Sequence, residues 1–356
     1  MTIEHMDNFS IYGNGGQAYL TDGVFVEAAG GIFLAADPVA GLTGTVVGMG
    51  GGIAQTLRYV LGGSRTKVGM AGRFYIPTLP ESVLRIPTPF DFRNASNGTL
   101  LTLQVYPNGS LVVRSTIDET GAALAQSGPL AITANGWWHI EMWVTWNAGT
   151  GATVEVRVEG VSVISPTVLA SVTAPSCDQV AVVSRRTSIT TTAPTMYTKD
   201  LIIANGLGSF NNTFMGSCSV RSLIPDSDSA ATWSRNTGAT NFGNVNEDGP
   251  PNDDTAYMYA GTPAPAVNVM GLSNLPVDVT SVRGLMMIQR SKKSDGGDGN
   301  VQMGMKSGAS TGLGADRPST VAYTYFRDVI DTDPATAALW TPGAVNNALF
   351  QQNRTL

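Results

Sequence analysis

The stretch Trp137-Trp138-His139-Ile140-Glu141-Met142-Trp143-Val144-Thr145-Trp146 decides the fold class, and it holds four of the six tryptophans of the chain. With the two-residue period of a strand, Trp138, Ile140, Met142, Val144 and Trp146 fall on one face. Trp137, His139, Glu141, Trp143 and Thr145 fall on the other. The first face is apolar and reads as core. The second mixes two indoles with three polar groups, which predicts a strand packed hard on one side and partly covered on the other. That combination is the pattern of a β-sandwich.

Working outward, short strand-like runs bounded by Gly, Pro or Asn recur at Val24–Val26, Thr66–Phe74, Leu100–Tyr106, Ser110–Ser115, Ala152–Val158, Val161–Ile164, Gln179–Ser184 and Lys199–Ile203. Helical periodicity is nearly absent. Two connections carry hairpin chemistry: Tyr106-Pro107-Asn108-Gly109-Ser110 and Val158-Glu159-Gly160-Val161, where Asn and Gly accept the positive φ of a tight turn. Many short antiparallel strands joined in this way predict an all-β sandwich or jelly roll.

The texture changes around Ile203-Ala204-Asn205-Gly206-Leu207-Gly208-Ser209, a Gly/Asn-rich turn, so a boundary is expected near residue 208. This divides the chain into a sandwich over 1–208 and a second β-rich domain over 209–356. In the second part, runs at Thr255–Tyr259, Ser281–Arg290, Val301–Lys306 and Ala322–Asp328 read as strands. Within Ser281–Arg290 neither alternate face is strongly apolar, which predicts pairing with the first unit or with a neighbouring subunit. Gly48–Gly52 and Val282–Ile288 are the expected contact segments, with Gly51→Glu or Met286→Asp expected to block assembly.

The 356 residues are 42% hydrophobic and only 13% charged, with 41 glycines and a net charge of −6. A neutral polar surface of this kind suits packing against other protein. The only adjacent basic pairs are Arg185-Arg186 and Lys292-Lys293, so nucleic acid is not an expected partner. No apolar run approaches the length needed to span a bilayer, and Glu4 and Asp7 stand where a secretory leader would carry basic residues, so neither membrane insertion nor export by that route is expected. Cys177 and Cys218 are the only cysteines, and buried thiols are favoured over a disulfide.

Candidate chemistry is sparse. His5 and His139 are the only histidines, and no Gly-x-Ser-x-Gly elbow accompanies them, so serine-hydrolase chemistry is disfavoured. His139 reads as a structural imidazole. Glu141, Glu155 and Glu159 do not form the paired-carboxylate pattern of a sandwich glycosidase. Gly13-Asn14-Gly15-Gly16-Gln17-Ala18 and Gly48-Met49-Gly50-Gly51-Gly52 lack the strand and helix that give a dinucleotide fingerprint its meaning. Asp295-Gly296-Gly297-Asp298-Gly299-Asn300 and the Glu247–Asp254 turn offer oxygen ligands for Ca²⁺ but read first as solvated turns. No catalytic, cofactor or metal residue is therefore assigned, and no cofactor is expected.

Two resemblances add to this. Trp138–Trp146 with the Glu155–Val163 hairpin resembles the central strands of concanavalin A-like or laminin G-like jelly rolls, in which a Trp-His strand ends in Thr-Trp and leads into a hairpin. Asp200-Leu201-Ile202-Ile203-Ala204-Asn205-Gly206, then Phe214–Asp228, Trp233, Asn241–Glu247, Asp253–Tyr257 and the closing Leu339–Phe350, resembles structural proteins of tailed-phage virions. The resemblance implies a non-enzymatic virion component of the tail, neck or head, assembled in the bacterial cytoplasm. Its implied partners are copies of itself and other virion proteins. The alternative is an adhesin module that binds a host glycan or receptor at the virion surface.

Overall fold

The sequence builds two stacked sheets because its longest strands carry an apolar face with a period of two, and such a face is stable only against a second one. The computed structural model describes residues 3–12, 18–22, 24–29, 32–40, 42, 44–50, 54–80, 85–117, 121–186, 194–247, 249–261, 266–294 and 296–355. The chain divides into two compact units, Thr2–Val220 and Arg221–Leu356. Residues 209–220, which texture alone assigns to the second half, thus belong with the first unit.

In the first unit one sheet has eight strands, in the order Val161–Leu169, Gly151–Val158, Trp137–Asn147, Lys67–Tyr75, Pro194–Ala204, Thr45–Gly50 and Ile32–Ala36, with Ile3–Asp7 also paired to Pro194–Ala204. The other has seven, in the order Ala123–Gln126, Leu111–Arg114, Thr99–Val105, Arg85–Arg93, Cys177–Arg186, Ala54–Arg65 and Glu27–Ala29. All pairings are antiparallel. Ile140, Met142, Val144 and Trp146 point between the sheets and are buried, as their spacing predicts. Trp146 meets Phe92 of the opposite sheet at 5.7 Å, and Phe74 meets Phe90 at 5.3 Å, both edge to face. Trp138 departs from the pattern. At the end of the sandwich it is only half-buried, and its Nε1 donates to the Thr133 carbonyl at 2.9 Å.

Both predicted hairpins form. Gly109 has φ +74° and donates to the Tyr106 carbonyl, while Glu159 and Gly160 turn the second hairpin with φ +49° and +81°. The Val24–Val26 run does not become a strand, and the neighbouring Glu27–Ala29 does. Neither Cys177 nor Cys218 is in a disulfide, and Cys177 is buried, its thiol pushed up to about 12, first by that burial.

The second unit holds a six-stranded sheet in the order Pro225–Ala230, Ala266–Leu272, Leu349–Arg354, Asn300–Ser307 and Ser310–Leu313, with Arg317–Pro318 beside Asn300–Ser307. Met270, Met287, Met303, Met305, Phe326, Trp340 and Phe350 form most of its core. The expectation that 281–290 pairs with the first unit is corrected here. Leu285–Ser291 pairs with Thr324–Ile330 of the same unit, and Met287 goes into that unit's core. The alternation looked weak because methionine and glutamine, rather than branched aliphatics, occupy the buried face.

Candidate functional site

The outer face of the eight-stranded sheet carries the densest chemistry of the described residues. One rung of its ladder crosses five strands. Phe33 is opposite Gly48, Gly48 opposite Tyr197, Tyr197 opposite Tyr75, and Tyr75 opposite Trp137. Direct partners point to the same face, so four aromatic side chains stand in a row. Phe33 and Tyr197 are 6.2 Å apart, Tyr197 and Tyr75 6.0 Å, and Tyr75 and Trp137 5.6 Å. All four are half-buried, so the row is presented rather than sealed.

Asp37, just after the Ile32–Ala36 strand, pins the Trp137 end. Its fully buried carboxylate accepts from Trp137 Nε1 at 3.1 Å and from Lys199 Nζ at 2.5 Å. Lys199 in turn lies 4.2 Å from the Trp137 ring centroid, a cation–π contact. Tyr75 donates its hydroxyl to Asn135 Oδ1 at 3.2 Å. Burial, then the neighbouring Tyr75, raises the pKa of the Tyr197 hydroxyl, which keeps it a donor.

Next along the face is a polar network closed over by residues 212–220. Glu141 is buried and accepts the backbone N–H groups of Met215 at 2.6 Å and Gly216 at 3.1 Å. Burial raises its pKa against the pull of those two bonds. Arg73 lies within 3.9 Å of Glu159 and 3.6 Å of Asp200, and donates to Ser217 Oγ at 3.0 Å. Asp200, at φ +53° beside a register shift, accepts from Val220 N. Glu159 accepts from His139 N and Ser217 Oγ. These bonds tie the segment down across the sheet, and they explain why His139 and Glu141 are buried on a face that sequence alone leaves half-open.

His139 Nε2 lies 3.7 Å from Cys218 Sγ. Burial, then the charge of Arg73, lowers its pKa to about 4, partly opposed by Glu159, so the ring is neutral at ordinary pH. The structural role expected of it fits this enclosure. His5 is likewise buried, stacked on Tyr59 at 5.0 Å and 3.5 Å from Asp7.

Beyond Glu141, Trp143 lies flat across Gly69, where a Cβ would fall 2.4 Å from the indole. Lys67 Nζ is 5.0 Å from the Trp143 ring and donates to the Asn212 carbonyl. Glu155 is opposite Trp143 in the ladder and accepts from Arg157 Nε at 2.8 Å, and Arg157 stacks on Phe214 at 4.0 Å. Between these groups is a recess of about 160 Å³ lined by Lys67, Trp143, Thr145, Thr153, Glu155, Pro166, Thr213 and Phe214.

Of the remaining sequence candidates, residues 13–17, 51, 52, 248 and 295 lie outside the described residues, and with them most of the Gly13–Ala18 stretch and Gly51. Asp253 and Asp254 of the acidic turn are engaged by Arg290 at 2.8 Å and Lys292 at 2.6 Å. Among the described residues no group of three or more His, Cys, Asp or Glu is placed to hold a metal ion. The sequence assigns no site residue and singles out Trp137, His139 and Glu141 only as the partly covered face of a strand. It missed Phe33, Asp37, Lys67, Arg73, Tyr75, Tyr197 and Lys199, which come together only through strand order.

No family model matches the chain, and no curated protein matches it. Solved structures do. An endo-β-1,4-glucuronan lyase from the fungus Trichoderma reesei is similar at TM-score 0.40 and 13% identity, over 57% of this chain and 95% of that one. An alginate lyase from a Chlorella virus is similar at 0.37 and 13%, over 52% and 91%. A carbohydrate esterase from the Shiga toxin-encoding bacteriophage phi24B is similar at 0.35 and 15%, over 50% and 89%. The expectation of a non-enzymatic protein is corrected by this set, because the sandwich that reads as pure scaffold recurs in two lyases and an esterase. The likeness stops at the fold, and no residue role passes from those proteins to this chain.

Proposed function

We propose that the Thr2–Val220 unit recognises carbohydrate polymer through the Phe33–Tyr197–Tyr75–Trp137 row, as part of a tailed-phage particle. The row carries this reading. Sugar rings present C–H faces rimmed by hydroxyls, and they are recognised by partly exposed aromatic rings with a few fixed polar groups beside them. Tyr75, Tyr197, Lys199 and Arg73 supply the polar groups on the same face. The placement on a particle is supported by the sequence resemblance of Asp200–Asp228 and Leu339–Phe350 to tailed-phage structural proteins.

The test is retention of the full chain on a panel of immobilised bacterial surface polysaccharides, with Trp137→Ala and Tyr75→Ala as controls. At least one polysaccharide is expected to retain the chain, and each substitution to weaken that retention at least tenfold without shifting far-ultraviolet circular dichroism. Retention of none, or equal retention of the variants, overturns the reading. The mixtures are also read for chain shortening and for released acyl groups, which separates turnover from binding. Labelling of purified particles with an antibody against the chain tests the virion placement.

Assembly into a repeated structure is a second reading of the same unit, with other copies of the chain and other virion proteins as partners. Its support is the outermost strand Val161–Leu169, on which Val161 and Val168 are 67% and 66% exposed. An apolar edge of this kind is what a neighbouring subunit covers. Sedimentation of wild type against Val168→Lys reads it, with a shift to smaller species expected in the variant.

A further inference from the structure

We propose that the recess between Trp143, Glu155 and Phe214 is a second carbohydrate site, one that takes a single pyranose ring and is separate from the aromatic row. Trp143 lies six positions beyond Trp137 on one strand, so about 20 Å separates the two, and residues 215–218 cross the face between them through Glu141 and Glu159. A polymer lying on the row therefore does not run on into the recess.

The size and lining select the ligand. A volume of about 160 Å³ is close to the roughly 150 Å³ cavity that accepts a benzene-sized ring, so one six-membered ring fits with its substituents at the rim. Trp143, Phe214 and Pro166 give an apolar floor and wall for the C–H face. Thr145 and Thr153 stand opposite each other across the ladder and bring two hydroxyls to the rim. Lys67 gives one N–H to Asn212, and an ammonium has three. Glu155 lines the recess and accepts from Arg157 through Oε1, and a carboxylate has a second oxygen with which to accept sugar hydroxyls. A carboxylate acceptor beside an ammonium donor matches vicinal hydroxyls, each both donor and acceptor.

The wall is built in advance. Phe214 is clamped by Arg157, and the adjoining Met215 and Gly216 amides are held by Glu141, so binding does not have to order the segment.

The proposal shares its ligand class with the reading above and is tested apart from it. Methyl glycosides of glucose, galactose, mannose and N-acetylglucosamine are titrated into the full chain, followed by saturation-transfer NMR. At least one is expected to bind with Kd on the order of 1 mM, the range a ligand of this size reaches. Glu155→Gln and Thr153→Val are each expected to weaken it at least fivefold. Both recess variants are checked for wild-type thermal unfolding first. Absence of binding by all four glycosides overturns the proposal, as does unchanged binding in both recess variants. Loss of glycoside binding in Trp137→Ala assigns the signal to the row and overturns the proposal too, whereas loss of polysaccharide retention alone in that variant concerns the row only.

Discussion

Phe33 lies across Gly48 so closely that a Cβ on Gly48 would sit 2.4 Å from Phe33 Cζ. Glycine at that rung lets the phenyl ring lie down on the next strand and reach Tyr197 at 6.2 Å, which closes the row over a strand that contributes no ring of its own. Gly48 reads in the sequence as part of an assembly contact, and its place in the ladder gives it this other task.

Gly48→Ala is expected to push Phe33 off the sheet. Overpacking of this kind costs about 1–3 kcal/mol, read as a lower urea midpoint with the slope unchanged. Polysaccharide retention should fall with it. A variant of wild-type stability would show that Phe33 has another low-energy position and that the row does not depend on the glycine.

Glu141 holds residues 215 and 216 by two charge-assisted bonds, and removing it leaves two backbone donors without their acceptor. Glu141→Ala is expected to cost about 2–4 kcal/mol. Hydrogen exchange at the amides of Met215 and Gly216 should rise well beyond the global change. Unchanged exchange there would mean that Arg73 and Asp200 suffice to hold the segment.

The sandwich was legible because its signals are local. Alternation over 138–146 sets the core face, and Asn108-Gly109 and Glu159-Gly160 set two turns. The candidate site was not legible, for the complementary reason. Phe33, Tyr75, Trp137 and Tyr197 belong to four strands far apart in sequence, and only the non-sequential strand order puts them side by side. Each alone is an ordinary aromatic in a strand. A boundary drawn at the Gly/Asn-rich turn 203–209 gives the 209–220 segment to the second half, and its return to the first unit rests on Glu141 and Arg73, whose role as anchors leaves no sequence pattern.

In the second unit Met287 is buried at 3% exposure while its neighbour Met286 faces the other way and is half-buried. Met287→Asp puts an unpaired carboxylate into the methionine core and is expected to cost 4 kcal/mol or more, on the order seen for buried charges. Met286→Asp should cost about half of that or less. Urea unfolding of the two variants reads the difference, and equal costs would contradict the face assignment of Leu285–Ser291.

The pH dependence of stability sets His139 against the buried carboxyls. With its folded pKa lowered from 6.5 to about 4, His139 takes up a proton more readily in the unfolded chain between those values. Its share of stability is therefore complete above pH 6.5 and is lost as the pH falls toward 4. Asp91 has the opposite sign. Burial, outweighing Arg93, raises it from 3.8 to about 6, so the folded state holds the extra proton and stability falls as pH rises through that window. Glu141, also raised, acts in the same sense as Asp91. The wild-type profile between pH 4 and 6 is thus a partial cancellation, and the histidine must be isolated by difference. Between pH 4.5 and 6.5 the unfolding free energy of wild type is expected to gain about 2 kcal/mol relative to His139→Gln. Parallel profiles for the two proteins would show that His139 is as readily protonated in the fold as out of it, and that the 212–220 segment opens to let the proton in.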